Sequence, residues 1–268
     1  MVKQWLQDAA MATADGLMAV WPRPLPDRSV LKECKIISHR GEHDNRVVME
    51  NTLPAFNNAR AVGVWGLECD IRFTQDLVPV ICHDPDAKRV FGVDCVIAQQ
   101  TFAQLREKLP LIPSLMELID EFGGDRHLML ELKSIDGSHY QQKKESLQQH
   151  LKGLRSGRDF HILALEPRLF SLVDFLPPAS FLPVAELNVG RLGDLALAKG
   201  YAGLSGHFLL LGRSRILRHK KHGQTIATGF PGSKNCLFRE LNRGVDWVFS
   251  NDAVALQEIV NRSLAGSP

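Results

Sequence analysis

Apolar and polar positions along the chain follow two alternating patterns. Short apolar runs, several rich in Val, Ile and Phe, occur at 35–38, 66–72, 78–82, 128–132, 160–164, 181–185, 202–205, 225–228 and 247–250. Their length and composition predict strands. Most are separated by stretches near 52–61, 101–109, 114–122, 139–155, 167–176, 190–199, 213–222, 234–243 and 252–263, where apolar residues recur every three or four positions. That period predicts helices, and regular strand–helix alternation predicts a parallel sheet flanked by helices. The second and third strands are an exception, because only a short turn around Gln75-Asp76-Leu77 lies between them. A parallel crossover needs about a dozen residues or more, so these two strands must form an antiparallel hairpin. Removing one hairpin arm leaves eight strands, the number in a (β/α)8 TIM barrel. The predicted fold is therefore α/β: a TIM barrel whose second strand is extended by a hairpin.

The first 21 residues form a separate pattern. Trp5, Leu6, Ala9, Ala10, Leu17, Met18 and Trp21 predict one amphipathic helix, and Pro22, Pro24 and Pro26 stop it. The expected organisation is an N-terminal helical extension over 1–30 and a barrel domain over 31–268. Packing on its own domain is the plainest role for this helix. A homo-oligomer built through it and peripheral membrane contact are its other readings.

Composition narrows the class. The chain has 268 residues, 44% of them hydrophobic and 23% charged, which is a globular balance. A formal net charge of +2 gives no global field for nucleic acid. No apolar stretch reaches the length of a membrane span. Asp8 and Asp15 break what would have to be the apolar region of a signal peptide. The five cysteines are odd in number and lack paired spacing, which points to a reduced, cytoplasmic setting. The basic run from Arg213 to His222 reads best as a solvated helix face.

Candidate chemistry gathers at the predicted strand ends. His39-Arg40-Gly41 follows the first strand. Glu68 and Asp70 lie two apart in the second, so both point to one face. Folding back about Asp76 brings His83 level with Cys69 and Asp70. Glu131 ends the next barrel strand, with Lys133 on its side. In barrels of this type the active site lies at the carboxyl ends of the strands, so one rim collects all of these groups. Two histidines, three carboxylates, an arginine and a lysine suit metal-assisted hydrolysis of a phosphate ester. Cys69 and Cys82 flank the site but alternate away from it, as small buried apolar residues do.

The ordered motifs resemble the glycerophosphodiester phosphodiesterase family. They are His39-Arg40-Gly41, Glu50-Asn51-Thr52 with Pro54-Ala55-Phe56, Glu68-Cys69-Asp70, Pro79-Val80 before His83-Asp84, Ile112-Pro113-Ser114-Leu115, Glu131-Leu132-Lys133 and Gly244-Val245-Asp246. Each triplet alone is common; the ordered set over roughly residues 35–255 is specific. The resemblance implies that Glu68, Asp70 and Glu131 hold one divalent cation, Mg²⁺ or Ca²⁺, as three hard oxygen donors suggest. It makes His39 and His83 the general acid/base pair. Arg40 and Lys133 would bind phosphate oxygens. Glu50 would border the metal as ligand or outer support, and Asn51 would cap a helix or order its loop.

The implied reaction is hydrolysis of a glycerophosphodiester, a small-molecule substrate, to sn-glycerol 3-phosphate and an alcohol. Lysophospholipase D activity on lysophospholipids and a catalytically silent glycerophosphodiester-binding protein are the alternatives. Two departures from the family bear on the substrate. Thr228-Gly229-Phe230-Pro231-Gly232 stands where a Trp-Thr-Val-Asn type segment is usual, which makes Phe230 the candidate wall of the pocket mouth. Ala164-Leu165-Glu166 stands where a Ser-Phe pair is usual.

Overall fold

The computed structural model describes residues 16, 18–134 and 137–266. The predicted N-terminal helix lies mostly outside these residues. The strands are β1 (Lys35–His39), β2 (Gly66–Phe73), β3 (Pro79–Ile81), β4 (His127–Leu132), β5 (Phe160–Ala164), β6 (Phe181–Ala185), β7 (Gly203–His207), β8 (Thr225–Gly229) and β9 (Trp247–Ser250). β1 pairs in parallel with both β2 and β9, and β2 pairs in parallel with β4. Parallel pairing continues from β4 through β9 and closes an eight-stranded barrel. β3 is the ninth strand, antiparallel to β2, with Ile71 opposite Ile81 and Phe73 opposite Pro79.

Alternation along the strands builds two cores. Leu67, Cys69 and Ile71 of β2, with Leu128, Leu130 and Leu132 of β4, point outward against the helices. Ile37, Met129, Leu163, Leu182, Ala227, Trp247 and Phe249 fill the barrel interior. Because the period is two, His39, Glu68, Asp70 and Glu131 share the interior face with Ile37 and Met129. A third cluster (Val80, Cys82, Ala87, Cys95, Ile97, Leu105, Leu109 and Ile112) anchors the excursion after β3. This excursion contains a one-turn helix, Lys88–Phe91, that the apolar period did not predict.

The stretch predicted as a helix over 167–176 is instead a 3₁₀ segment, Pro167–Val173. Leu169, Phe170, Leu172 and Val173 are all buried there. Four apolar residues within five positions exceed what one α-helical stripe can bury. Pro177 and Pro178 then stop any extension. The helix predicted over 139–155 is shorter, Tyr140–Leu151. Thr101 and Ser114 cap their helices through reciprocal bonds with Gln104 and Glu117. The basic run occupies the helix Arg213–Lys221, which buries only Ile216 and His219. Arg218 pairs there with Asp194, and Lys220 with Asp246. Among the described residues no helix is long and apolar enough to cross a membrane.

Candidate active site

The turn after β1 sets the first residues of the site. Arg40 and Gly41 both adopt left-handed backbone conformations, at φ 60° and 80°. Glycine is required at 41, because a Cβ there would lie 2.7 Å from the Ala55 backbone carbon. Arg40 N–H donates to the Glu68 carbonyl at 3.0 Å, and Asn51 N–H donates to the Arg40 carbonyl at 2.9 Å. The chain thus doubles back over β2 and carries the Arg40 side chain onto the carboxylates.

Strand register does the rest. His39 lies beside Glu68 across the β1–β2 pair, and Asp70 lies beside Glu131 across β2–β4. One oxygen from each of Glu68, Asp70 and Glu131 can fall within 4.8 Å of the other two. All three side chains are buried. The hairpin delivers the second histidine, since Cys82 N–H donates to the Asp70 carbonyl at 2.9 Å. His83 is close enough for its charge to favour the ionised form of Asp70.

Each histidine is oriented through Nδ1. His39 Nδ1 donates to Asn251 Oδ1 at 2.6 Å, which leaves the Nε2 lone pair free 3.7 Å from Glu68 Oε2. His83 Nδ1 donates to Asp84 Oδ1 at 2.7 Å. Burial, with Arg40 and Lys133 nearby, pushes His39 down to about 3, so its imidazole is neutral. Phe230, half-buried after β8, sets its ring centroid 4.7 Å from that of His39. It packs against the interior cluster and not in the outer helix layer.

The carboxylates are held unequally. Burial raises Asp70, but Lys133 Nζ at 2.8 Å from Oδ1 and Arg40 Nε at 3.2 Å from Oδ2 outweigh it and hold the group well below the carboxylate range. Lys133 also pairs with Glu131. Burial, with Asp70 and Glu131 adding repulsion, drives Glu68 in the opposite direction, well above its usual value. Glu68 Oε1 is buried and accepts no hydrogen bond among the described residues. With all three carboxylates ionised, the charges of Arg40 and Lys133 would fall one short of balance, and a cation would supply the difference. Three hard oxygen donors, no thiolate and an unpaired buried oxygen therefore fit a divalent cation of the Mg²⁺ or Ca²⁺ kind.

Three further residues belong to this constellation, and the sequence reading did not assign them these roles. Asn51 does not cap the helix Leu53–Ala61; Thr52 does. Asn51 Nδ2 instead donates to Asp70 Oδ2 at 2.7 Å, and Asp70 N–H returns a bond to Asn51 Oδ1 at 3.3 Å. Asn251, just after β9, holds His39. Arg89 bonds Glu50 through two nitrogens, at 3.0 and 2.6 Å, and Asp84 through a third at 2.6 Å. Glu50 also accepts from Arg40 at 3.0 Å and from Asn45 at 2.7 Å. Its carboxylate lies at about 2, because hydrogen bonds and charges from Arg89 and Arg40 overcome the upward push of burial. Glu50 thus grips arginines, and both its oxygens are engaged. Its neighbour Asn51 carries a signal that could have been noticed: a polar residue that an adjacent Thr makes unnecessary as a cap.

The model of the glycerophosphoryl diester phosphodiesterase family matches residues 39–191, from His39 into the helix Val189–Lys199. The chain belongs to this family. Glycerophosphodiester phosphodiesterase 1 of Rattus norvegicus is 38% identical over 94 residues, which are 32% of this chain and 28% of that protein. A lysophospholipase D of Homo sapiens is 38% identical over 71 residues, 26% of this chain and 22% of that protein. The alignments thus span under a third of these relatives' lengths. A solved Oleispira antarctica phosphodiesterase, in complex with the product sn-glycerol-3-phosphate, superposes with a TM-score of 0.71 at 22% identity, covering 85% of this chain and 96% of that one. At that identity the likeness carries the fold.

Proposed function

We propose that this family member hydrolyses glycerophosphodiesters to sn-glycerol 3-phosphate and an alcohol, using one divalent cation at Glu68, Asp70 and Glu131. The observation that carries the reading is the pairing of two Nδ1-anchored histidines with a buried three-carboxylate cluster and two partly buried basic side chains, Arg40 and Lys133. A bound cation would supply charge to offset that on a phosphate oxygen. Arg40 and Lys133 are placed to grip the remaining phosphate oxygens, Arg40 by its planar fork and Lys133 as a point charge. Phosphodiester cleavage requires one group to accept a proton from the nucleophile and another to give one to the leaving alkoxide. His39 presents a neutral Nε2 and takes the accepting role. His83, its Nδ1–H held by Asp84, takes the donating role from Nε2. Phe230 lies against His39 and provides an apolar wall for the carbon skeleton of the substrate.

The test is a panel of glycerophosphodiesters assayed with Mg²⁺, with Ca²⁺ and with chelator. Metal-dependent release of sn-glycerol 3-phosphate is expected. Tight binding of the whole panel without turnover in either metal overturns the reading in favour of a binding protein.

One observation favours lysophospholipids as a second substrate class. Leu165, Leu187, Leu209 and Leu210 are all exposed, Leu187 at 90%. They follow β5, β6 and β7, three adjacent strands, within three residues of their carboxyl ends. This apolar arc starts beside β4 and is centred on the rim opposite β1, where an acyl chain would lie. Comparing turnover of glycerophosphocholine with that of lysophosphatidylcholine separates the two classes.

A further inference from the structure

Arg89 sits outside the barrel, in the excursion between β3 and β4, and no step above uses it. Its three guanidinium nitrogens are all engaged by carboxylates. Nη1 and Nη2 form a two-pronged pair with Glu50, and Nε bonds Asp84 Oδ2 at 2.6 Å. Each carboxylate has a second duty. Glu50 Oε1 accepts from Arg40 Nη1, and Arg40 Nε is 3.2 Å from Asp70 Oδ2. Asp84 Oδ1 accepts from His83 Nδ1. A continuous chain therefore runs from Asp70 through Arg40, Glu50, Arg89 and Asp84 to His83.

We infer that Arg89 is a positioning residue that fixes Arg40 through Glu50 and His83 through Asp84, setting the phosphate grip and the proton donor with one guanidinium. The inference rests on the roles proposed for Arg40 and His83.

The chemistry of arginine explains the arrangement. Only a planar fork with a third nitrogen at fixed geometry can hold one carboxylate by two bonds and a second by another. Without it, Glu50 would keep hydrogen bonds from Arg40 and Asn45, with His43 Nε2 at 3.9 Å, and Asp84 would be free to rotate with His83. The backbone at Arg89 is held for this task. Ala87, two residues before it, is buried in the apolar cluster beneath the excursion, and Phe91 packs on the same cluster. Asp86 Oδ1 accepts from Lys88 N–H at 2.9 Å. Outer partners of this kind typically change activity by about 10–100-fold when removed.

The test separates the two arms. Glu50→Gln is expected chiefly to raise KM, since it loosens a phosphate ligand. Asp84→Asn is expected chiefly to lower kcat, since it loosens the proton donor. Arg89→Gln is expected to do both, by about 10-fold or more in kcat/KM. The double variants Glu50→Gln/Arg89→Gln and Asp84→Asn/Arg89→Gln should lose little beyond their worse single parent, because each pair acts as one unit. Melting temperature and circular dichroism are read on the same preparations. Arg89→Lys, which keeps the charge but not the fork, replaces Arg89→Gln if that variant does not fold. Kinetic constants within two-fold of wild type in the folded Arg89 variants overturn the inference, as do double variants whose losses multiply in full. A wild-type protein that turns over no glycerophosphodiester in either metal overturns the proposed function instead.

Discussion

Asp70 is held by three side chains, Arg40, Lys133 and Asn51. Replacing it with Asn keeps the volume and removes the charge. Asp70→Asn is expected to abolish metal binding and activity while the barrel stays folded, checked by calorimetric metal titration beside circular dichroism. An active variant that needs no metal sinks the ligand assignment. The histidines make a paired test. His39→Ala and His83→Ala should each cost on the order of 10²–10⁴ in kcat. His83→Ala should lose less on a p-nitrophenyl ester, whose leaving group barely needs a proton. An equal loss on both esters removes His83 from the donor role. Phe230→Ala should raise KM more than it lowers kcat and leave metal affinity unchanged. A large drop in melting temperature with normal KM would instead make Phe230 a packing residue.

At the level of elements, the turn after β1 and the β2–β3 hairpin carry the site, and their demands differ. The turn depends on backbone conformation. Gly41→Ala meets both a left-handed φ and the Ala55 backbone, so it must shift the start of the helix Leu53–Ala61 and drag Arg40 with it. Loss of activity well beyond the loss of stability is the expected signature. The hairpin depends on pairing: Ile71 faces Ile81 and Cys82 reaches back to Asp70, so the register alone decides where His83 stands. On the far side of the barrel the constraint is space. A Cβ at Gly203 would fall 1.8 Å from the Thr225 carbonyl oxygen. Gly203→Ala is therefore expected to break the β7–β8 pairing and give insoluble protein, read by expression and thermal melting.

The whole molecule is polar at its catalytic end and closed by rings at the other. Trp65 stacks on His127 at 4.2 Å, and Trp247 meets His161 edge-on at 4.9 Å. His127 Nδ1 donates to the Arg158 carbonyl at 2.9 Å, so its Nε2 must accept from His161 Nδ1 at 2.7 Å. Both rings are neutral in this arrangement, and a proton added to His127 would set two N–H groups against each other. Burial, with Lys35 contributing, lowers His127 to about 4 and His161 to about 3. Unfolded histidine, at about 6.5, binds protons that the folded pair refuses. Stability linked to this pair is thus complete above about pH 6.5 and is lost as pH falls from there toward 3. Melting temperature should fall over that window, and NMR should find neither imidazole titrating near 6.5. Normal titration of both would show that the floor is open to water.

The sequence by itself determined the eight-strand count, the hairpin, and the rim on which His39, Glu68, Asp70, His83, Glu131 and Lys133 meet. These follow from periodicity, from the shortness of one connection, and from the two-residue repeat of side chains along a strand. All three are local properties of the chain. Tertiary structure decided what those periods do not carry. The 167–176 stretch became a 3₁₀ segment because its apolar residues cover too wide an arc for one helix stripe. Glu50 engages Arg89 as well as Arg40 because an excursion 39 residues later delivers a second guanidinium to it. Asn51 and Asn251 found Asp70 and His39 across 19 and 212 residues of chain. Such partners are set by how the strands pair and the barrel closes, and even where a residue such as Asn51 looks free to act, nothing local to it names its partner.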